Sequence, residues 1–326
     1  MGKDTELFIV LPCFNEEEIL PLSAGKMRDL LHRLVEAGTI GQGSRLLFVD
    51  DGSKDRTWEL IEELHQTDPS CGGIRLSRNR GHQIAIFSGM TYAVEHGADC
   101  VITIDADLQQ DIRKIPEFLS RYEEGCDIVY GIRKSRDSDR FLKKTTATAY
   151  YKLMHMLGCG LIEQSADYRL LSARAVKALS SYGESNLFIR GLVPELGFKS
   201  GTVYFDVNER EAGKSKYTVK KMLTLAFDGI TSFSIQPIRW VIGLGFFVFI
   251  ISVVMMIITL IDHIRGVTVP GWSTLTISIW FLGSVQLLSL GVIGEYVGRT
   301  YMEAKKRPRY FLSDETGLGD GGRGHD

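Results

Sequence analysis

Residues 101–109 read VITIDADLQ, an apolar and β-branched run that ends in two carboxylates. Such a run predicts a short buried strand. Side chains two positions apart on an extended backbone point to the same side, so Asp105 and Asp107 can converge on one point. Paired carboxylate oxygens at the end of a strand suit Mg²⁺ or Mn²⁺. An ordinary polar turn, in which Asp is common, is the alternative interpretation.

Outward from this stretch, the first half of the chain alternates two patterns. Apolar runs predict buried strands at Leu7–Leu11, Leu46–Val49, Ile74–Leu76, Val101–Ile104 and Ile128–Tyr130. Amphipathic stretches predict helices at Glu17–Val35, Thr57–His65, Ile84–His96 and Ile112–Tyr122. Strands that alternate with helices indicate βαβ units, so we expect an α/β fold with a mostly parallel, doubly wound sheet. Further along, the pattern predicts helix from Phe141 to Lys177 and a strand at Val203–Val207.

Polar residues follow each of the first four predicted strands. They include Asn15 and Glu16 after the first, Asp50 and Asp51 after the second, Arg78 to His82 after the third, and Asp105 and Asp107 after the fourth. Ligands of doubly wound sheets bind at the carboxyl ends of the strands. The sequence therefore predicts one shared cleft at this edge of the sheet.

Composition excludes some classes of protein and some compartments. The 326 residues carry a formal net charge of −2, so no overall basic field points to nucleic acid as a partner. The five cysteines are scattered without a C-x-x-C pair, which predicts reduced thiols in a cytosolic compartment. The first residues lack the basic start and apolar core of a signal peptide, so we expect the soluble part of the chain to be cytoplasmic.

Two long apolar blocks stand in the last third of the chain. Trp240–Ile261 and Trp272–Gly294 contain no charged residue, and each is long enough as a helix to cross a hydrocarbon core of about 30 Å. We expect a transmembrane hairpin. Basic residues near membrane ends prefer the cytoplasm, which places both ends of the hairpin there. The basic residues in question are Lys305, Lys306, Arg307 and Arg309.

The positions of the two apolar blocks define the domain boundaries that we expect. We expect a cytosolic α/β domain over 1–214, a juxtamembrane amphipathic region over 215–236, two membrane helices within 237–298 and a cytosolic tail over 299–326. Lysines among apolar residues in 215–235 favour a helix in the lipid headgroup region, with an ordinary surface helix as the alternative. The Gly-rich end from Thr316 predicts disorder. Gly294-x-x-x-Gly298 would permit close helix contact in a homo-oligomer.

Three segments together resemble family 2 glycosyltransferases. They are Leu11-Pro12-Cys13-Phe14-Asn15-Glu16-Glu17, Val49-Asp50-Asp51-Gly52-Ser53 and Asp105-Ala106-Asp107-Leu108-Gln109. The two apolar blocks and the Arg210–Tyr217 segment narrow the resemblance to polyprenyl-phosphate hexosyltransferases, relatives of dolichol-phosphate mannose synthase. Most similar are the bacterial bactoprenol glucosyltransferases, over nearly the whole chain up to Tyr310. The resemblance implies a nucleotide-sugar-binding GT-A domain and transfer of a hexose to a polyprenyl phosphate with inversion.

The resemblance implies a set of residues around the donor nucleotide. These are Pro12, Asn15, Glu16, Asp50, Asp51, Gly52, Ser53, Arg78, Gly81 and Ala106. Asp50 or Asp51 would accept hydrogen bonds from base or ribose, and Gly52 would allow a tight turn. For Ser53, as for Asp55, the cap of the following helix is an equal alternative.

The resemblance also implies a metal site formed by Asp105, Asp107 and Gln109. A bound cation would stabilise the charge that develops on the departing nucleotide diphosphate. For Gln109, a loop amide that satisfies the backbone is the alternative.

An ionised phosphate acceptor needs positive charge more than it needs a base. Seven basic residues are candidates for this role: Arg133, Arg136, Lys143, Lys144, Arg210, Lys214 and Lys216. The resemblance favours Arg133, Arg210 and Lys216 at the acceptor phosphate, and Lys144 is expected there with them. Asp167 would orient the sugar or act as a base, and Arg169 stands beside it in a segment that resembles the family's Asp-Phe-Arg. A structural Asp–Arg pair is the competing interpretation. His82 is interpreted as a helix-start residue or a contact at the edge of a phosphate.

We expect UDP-glucose as donor and undecaprenyl phosphate as acceptor, in a multi-pass protein of the bacterial inner membrane. Two other functions compete with this interpretation. The letters Gln236-Pro237-Ile238-Arg239-Trp240 also fit processive polysaccharide synthases, although Arg and Trp are ordinary anchors at a membrane interface. A non-catalytic scaffold that binds nucleotide at the membrane is the second competing function.

Overall fold

A computed structural model describes residues 5–134, 165–184, 187–206 and 271–317, together with 241, 243–248, 250, 251, 254, 257, 261 and 265. The chain divides into two compact units. The first comprises Met1–Leu153, Gly160–Thr218 and Arg307–Asp326, and the second comprises Met154–Cys159 and Val219–Lys306.

The first unit is built on an eight-stranded sheet. Its strands are β1 Leu7–Cys13, β2 Arg45–Asp50, β3 Cys71–Leu76, β4 Cys100–Thr103, β5 Ile128–Arg133, β6 Ser165–Ser172, β7 Ser200–Phe205 and β8 Leu312–Thr316. They lie in the order β7-β5-β6-β4-β1-β2-β3-β8. The β1–β2, β1–β4, β2–β3 and β5–β7 pairs are parallel, whereas β6 and β8 pair antiparallel with their neighbours. The predicted α/β fold with a mostly parallel sheet is confirmed.

Helices connect the parallel strands and cover the sheet. They are α1 Leu20–Glu36, α2 Thr57–Thr67, α3 His82–Glu95, α4 Ile115–Glu123, α5 Ala173–Ser180 and α6 Ile189–Glu195. A single 3₁₀ turn, Ile112–Lys114, precedes α4. The first five predicted strands and the first four predicted helices are all present, with their ends shifted by a few residues.

The centre of the sheet is buried on both faces. Ile9 and Leu11 of β1 belong to the main core cluster, together with Leu31 of α1 and Phe118 of α4. Val10 points to the other face, where a Cβ on Gly89 of α3 would come within 2.5 Å of its side chain. Helices on both faces explain why the central strands read as unbroken apolar runs rather than as alternating patterns.

The helix predicted from Phe141 to Lys177 is wrong at residues 165–172, which form β6. This strand inserts antiparallel between β4 and β5, so that Arg169 lies opposite Thr103 on one side and Tyr130 on the other. The two partners of Arg169 are 39 and 66 positions away in the chain, and a local sequence pattern carries no signal of such distant partners (169 − 130 = 39; 169 − 103 = 66). Residues 141–164 lie outside the described part of the chain. The strand predicted at Val203–Val207 is present as β7, up to Phe205.

The edge strand β8 is not predicted by the sequence pattern. It pairs with β3, and the backbone N–H of Ser77 donates to the carbonyl of Phe311 just before it, at 2.9 Å. Thr316, the start of the tail expected to be disordered, ends this strand. Residues 318–326 of that tail lie outside the described residues.

The second unit contains the helix α7, Trp272–Ala304, which continues ten residues past the predicted end of the second apolar block (304 − 294 = 10). Within the residues that the structure describes, one helical stretch, Phe281–Ala304, is long and apolar enough to cross a membrane. Residues 243–248 are also helical, but much of the first predicted span and all of 215–236 lie outside the description. The two-helix hairpin, the interfacial helix and the domain boundaries therefore stay predictions.

Candidate active site

The loops after β1 and β2 meet at the carboxyl ends of these strands, as the sequence predicts. The backbone N–H of Asn15 donates to Ser53 Oγ at 2.9 Å, and Asn15 Oδ1 accepts from the N–H of Lys54 at 2.9 Å. Asn15 adopts the left-handed region at φ 53°, which Asn tolerates better than most residues. Its neighbour Glu16 donates its N–H to Thr57 Oγ1 at 2.9 Å. Side chains thus continue the link between the two loops beyond the last backbone hydrogen bond, from the N–H of Asp51 to the carbonyl of Cys13 at 2.9 Å.

Asp51 joins the second loop to the third. Its two carboxylate oxygens accept from the backbone N–H groups of Arg80 and Gly81, at 2.6 and 2.8 Å. Burial raises the pKa of Asp51 despite these two donors. Asp51 therefore shapes the loop that the resemblance places beside the nucleoside base.

Asp50 is fully buried, with its Oδ1 accepting from the N–H of Ser53 at 2.9 Å and its Oδ2 lying 3.2 Å from Arg75 Nε. Burial raises its pKa, while the Ser53 hydrogen bonds and the charge of Arg75 act in the opposite direction. Arg75 also lies 3.9 Å from Asp314 of β8. Asp50 acts in this arrangement as the buried anchor of the second loop.

Neither Ser53 nor Asp55 is the N-cap residue of α2, because Arg56 holds that position. Asp55 Oδ1 accepts from the N–H and the hydroxyl of Thr57, at 3.1 and 2.6 Å, and so serves the first turn of α2. Ser53 is not the cap, because its hydroxyl accepts from Asn15 and the helix begins four residues later (57 − 53 = 4). Hydrogen bonds to Thr57 and to the N–H of Glu17 hold the pKa of Asp55 below its usual value, although its partial burial acts the other way.

The remaining residues predicted around the nucleotide occupy the same edge of the sheet. Pro12 is half-buried in β1 opposite Val49. Arg78 is exposed, and Ala106 is buried at 4% exposure. Contact of these residues with a nucleotide stays a prediction.

Gly52 lies where the loop after β2 packs directly against the backbone of the loop after β3. It has φ +68°, and a Cβ there would meet the backbone of Arg78 and Asn79 at 2.7 Å. We expect Gly52→Ala to destabilise the protein by roughly 2–3 kcal/mol, because strain in the left-handed region adds to a clash with backbone atoms that cannot move aside. Urea unfolding of the full chain in detergent measures this change.

The matched control is Gly97→Ala. Gly97 also has positive φ, at +94°, but a Cβ there would meet nothing within 4 Å. It carries the backbone strain without the clash, so its loss of stability is expected to be clearly smaller. Equal losses of stability at Gly52 and Gly97 would show that the close packing of Gly52 against the loop after β3 contributes nothing to the effect.

The stretch after β4 forms a constrained loop. Gln110, which is 2% exposed, accepts the N–H of Asp105 at 3.0 Å through its side-chain oxygen and donates to Asp105 Oδ2 at 2.7 Å. The N–H of Gln109 donates to Asp107 Oδ1 at 3.1 Å. Leu108 is buried with φ +56°, a conformation that bulky residues avoid unless their surroundings enforce it. The loop is held in one shape around both carboxylates.

The Asp105 side chain keeps 29% of its surface exposed. Burial raises its pKa, as do the nearby charges of Asp167 and Asp107, while His82 and Arg133 lower it. Oxygen donors that gather negative charge in this way fit a hard divalent cation. In the described part of the chain, no group of three or more His, Cys, Asp or Glu side chains forms a metal-binding cluster. Gln109, water or substrate phosphates would have to complete the coordination of a cation held by Asp105 and Asp107.

Asp167 is the centre of a cationic cluster. Its Oδ1 accepts from Arg169 at 2.7 Å, and Arg190 donates to both oxygens at 3.1 and 2.9 Å. Gln83 Nε2 and His82 Nε2 lie 3.4 and 3.5 Å from Oδ2. Although burial acts in the opposite direction, these donors hold the pKa of Asp167 well below its usual range. A carboxylate held so firmly as an anion is a poor base, so the geometry favours the structural Asp–Arg pair.

Arg169 is not placed to touch a substrate. Its side chain is 2% exposed, and its guanidinium donates to Asp167 and to the carbonyl of Ala166. Burial lowers its pKa. These contacts indicate that Arg169 holds Asp167 in place, and the catalytic role that the resemblance to the family implies for Arg169 stays a prediction.

His82 connects the two carboxylate groups. Its Nε2 lies 3.4 Å from Asp105 Oδ1 and 3.5 Å from Asp167 Oδ2, and its side chain is 42% exposed. Partial burial lowers its pKa, but the two carboxylates outweigh this and raise it. His82 does begin α3, as expected, but its link to Asp105 was not foreseen. Gln110 and Arg190 were missed as well, because nothing in their local sequence distinguishes them from ordinary polar residues.

Arg133 lies exposed at the end of β5. Its charge lowers the pKa of Asp105, against the burial that raises it. Lys144, Arg210 and Lys216 fall outside the described residues, as do Arg136, Lys143 and Lys214. The acceptor-phosphate cluster thus stays a prediction.

A GT-A-like α/β fold, with polar loops gathered at the strand ends and two carboxylates after β4, is the arrangement expected of a sugar transferase. Residues 8–180 match the glycosyl transferase family 2, and the chain belongs to this family. The protein is a glycosyltransferase, and the resemblance noted from its motifs is confirmed.

Relatives cover nearly the full chain. An uncharacterized glycosyltransferase of Bacillus subtilis (strain 168), YkoT, is 49% identical over 94% of this chain and 90% of that protein. A bactoprenol glucosyl transferase of Shigella phage SfV is 37% identical, over 95% of this chain and 99% of that protein. A prophage bactoprenol glucosyl transferase homolog of Escherichia coli (strain K12) is 36% identical, over 94% of this chain and 98% of that protein.

Proposed function

We propose that this glycosyltransferase moves one hexose, glucose from UDP-glucose, to undecaprenyl phosphate at the cytosolic face of the bacterial inner membrane. The observation that carries the proposal is the constrained Asp105–Asp107 loop at the end of β4, in a chain similar over nearly its whole length to proteins named bactoprenol glucosyl transferases. The apolar stretch Phe281–Ala304 supports an acceptor that resides in a membrane.

On the donor side, Asp105 and Asp107, with Gln109, would hold Mg²⁺ or Mn²⁺. When bound, the cation supplies positive charge that stabilises the nucleotide diphosphate as it departs. His82 lies 3.4 Å from Asp105, and the positive charge of Arg133 also acts on this carboxylate. Asp50, Asp51 and Gly52 shape the loops in which the nucleoside would lie.

On the acceptor side, no general base is required. A phosphate monoester is ionised at neutral pH and is therefore already a competent nucleophile. Asp167, whose oxygens are engaged by Arg169 and Arg190, agrees with this, because it is held as an anion and paired. Arg133, Lys144, Arg210 and Lys216 would bring the two anionic phosphates together.

The test is to incubate the purified full chain with undecaprenyl phosphate and a panel of nucleotide sugars, and then to analyse the extracted lipid by mass spectrometry. We expect a mass increase of one hexose with UDP-glucose, and none after removal of divalent cations. Products that carry a chain of sugars would instead indicate a processive synthase. Nucleotide binding without any lipid product would indicate a non-catalytic scaffold.

A further inference from the structure

Arg309 lies just after the apolar helix in the chain, yet it is anchored within the first unit. Its Nε donates to the carbonyl of Glu184 at 3.0 Å, and a second guanidinium nitrogen donates to the carbonyl of Tyr182. The guanidinium carbon lies 4.6 Å from the centre of the Phe87 ring. One side chain therefore joins three residues on two separate segments.

Both of these segments carry members of the cluster around Asp167. Phe87 belongs to α3, whose first two residues, His82 and Gln83, contact Asp105 and Asp167. Tyr182 and Glu184 precede α6, whose Arg190 donates to both oxygens of Asp167. The two segments also meet directly, since the N–H of Ile189 donates to Gln83 Oε1 at 3.2 Å.

These contacts depend on the shape of a guanidinium group and not on charge alone. Its planar fork donates to two carbonyls at once while its face lies on an aromatic ring, and an ammonium group cannot do all three. The interpretation of Arg309 as a cytoplasmic basic residue beside a membrane span requires only the positive charge. The two interpretations therefore differ in what a lysine at this position would do.

The rest of the C-terminal segment strengthens the attachment of Arg309. Strand β8 pairs with β3, and Tyr92 of α3 donates its hydroxyl to Glu315 at 3.0 Å. The N–H of Ser77, at the start of the third loop, donates to Phe311. The segment from Arg309 to Thr316 thus contacts strand β3, helix α3 and the residues before α6.

We propose that Arg309 is a positioning residue for the donor site. It holds α3 and α6 in the relative placement that sets His82 and Arg190 against Asp105 and Asp167. This inference rests on the proposed glycosyl transfer, because the donor and its cation are the ligands whose binding it supports.

The test compares Arg309→Lys and Arg309→Ala with Arg307→Lys and Arg307→Ala, a matched pair at an exposed arginine two positions earlier. For each full-length variant in detergent, UDP with Mn²⁺ is titrated by calorimetry, and KM is measured separately for donor and acceptor. We expect both Arg309 variants to bind the nucleotide about 10-fold more weakly, the size of a lost charge-assisted hydrogen bond. Donor KM should rise and acceptor KM should not, whereas general destabilisation would lower only the active fraction. The Arg307 variants should match the wild type.

Hydrogen exchange provides a readout that needs no activity. Arg309→Ala should speed exchange in residues 82–87 and 187–191 and leave α1 unchanged. Wild-type binding of UDP with Mn²⁺ by Arg309→Lys, or wild-type exchange in Arg309→Ala, would overturn the proposal, and the first of these results would favour a simple membrane-flanking charge. Failure of the wild-type chain to bind UDP with Mn²⁺ would overturn the proposed function itself, which separates the two failures.

Discussion

Asp107→Asn is expected to lower the rate of sugar transfer by about 10³-fold or more while the fold persists. The substitution keeps the shape of the side chain and an oxygen that can accept from the N–H of Gln109, but it removes the negative charge that a divalent cation requires. Asp105→Asn should act similarly, because Gln110 can still donate to the remaining side-chain oxygen. Initial rates with UDP-glucose and undecaprenyl phosphate measure the effect, and circular dichroism reports on folding.

The control for this prediction is Asp29→Asn on α1, a carboxylate whose side chain is 70% exposed. It should transfer sugar at the wild-type rate. The metal role would be refuted by an Asp107→Asn variant that turns over normally. Calorimetry gives an independent check, since unchanged binding of nucleotide with Mn²⁺ by Asp105→Ala would leave the metal site without support.

Asp167→Ala should cost about 3–5 kcal/mol of stability, the range found when one partner of a buried ion pair is removed. It leaves the buried guanidinium of Arg169 without its partner, and Arg190 and His82 lose the anion that they share. Chemical denaturation of the full chain in detergent measures the loss. The pKa of Asp167 lies well below its usual range, so this stabilisation is present above about pH 5 and is lost as the pH falls through the folded-state pKa.

A second substitution separates an unpaired charge from lost packing. Arg169→Leu added to Asp167→Ala removes the buried guanidinium and should restore part of the stability. If the double variant is less stable by the full sum of the two single losses, then the carboxylate does not act by neutralising Arg169. Glu59→Ala, at an exposed ion pair on α2, should change stability far less.

Much of the site could be predicted from residues that are close together in the chain. The apolar runs locate the five strands from β1 to β5, because burial in a parallel sheet favours unbroken β-branched and aliphatic residues. Polar residues at the ends of these strands indicate a shared edge, and the contacts of Asn15 with Ser53 and of Asp51 with Gly81 confirm it. The motifs around Asp105 and Asp107 also identify the family correctly.

The network around these motifs was decided by tertiary structure. Strand β6 was expected to be helical, and β8 was expected to be tail, because their partners lie on strands far away in the chain. Asp167, Arg190 and His82 come from three separate elements, and only the packing of those elements brings them together.

The sequence alone thus determined the order of the first five strands and first four helices, the chemistry at their strand ends and the family, because hydrophobic periodicity and turn chemistry act over a few residues. Tertiary structure alone decided that Arg190 pairs with Asp167 and where Arg309 attaches. The physical reason is that burial and ion pairing depend on neighbours in space, and these can be distant in the chain: Arg190 is 23 positions from Asp167, and Arg309 is 125 positions from Glu184.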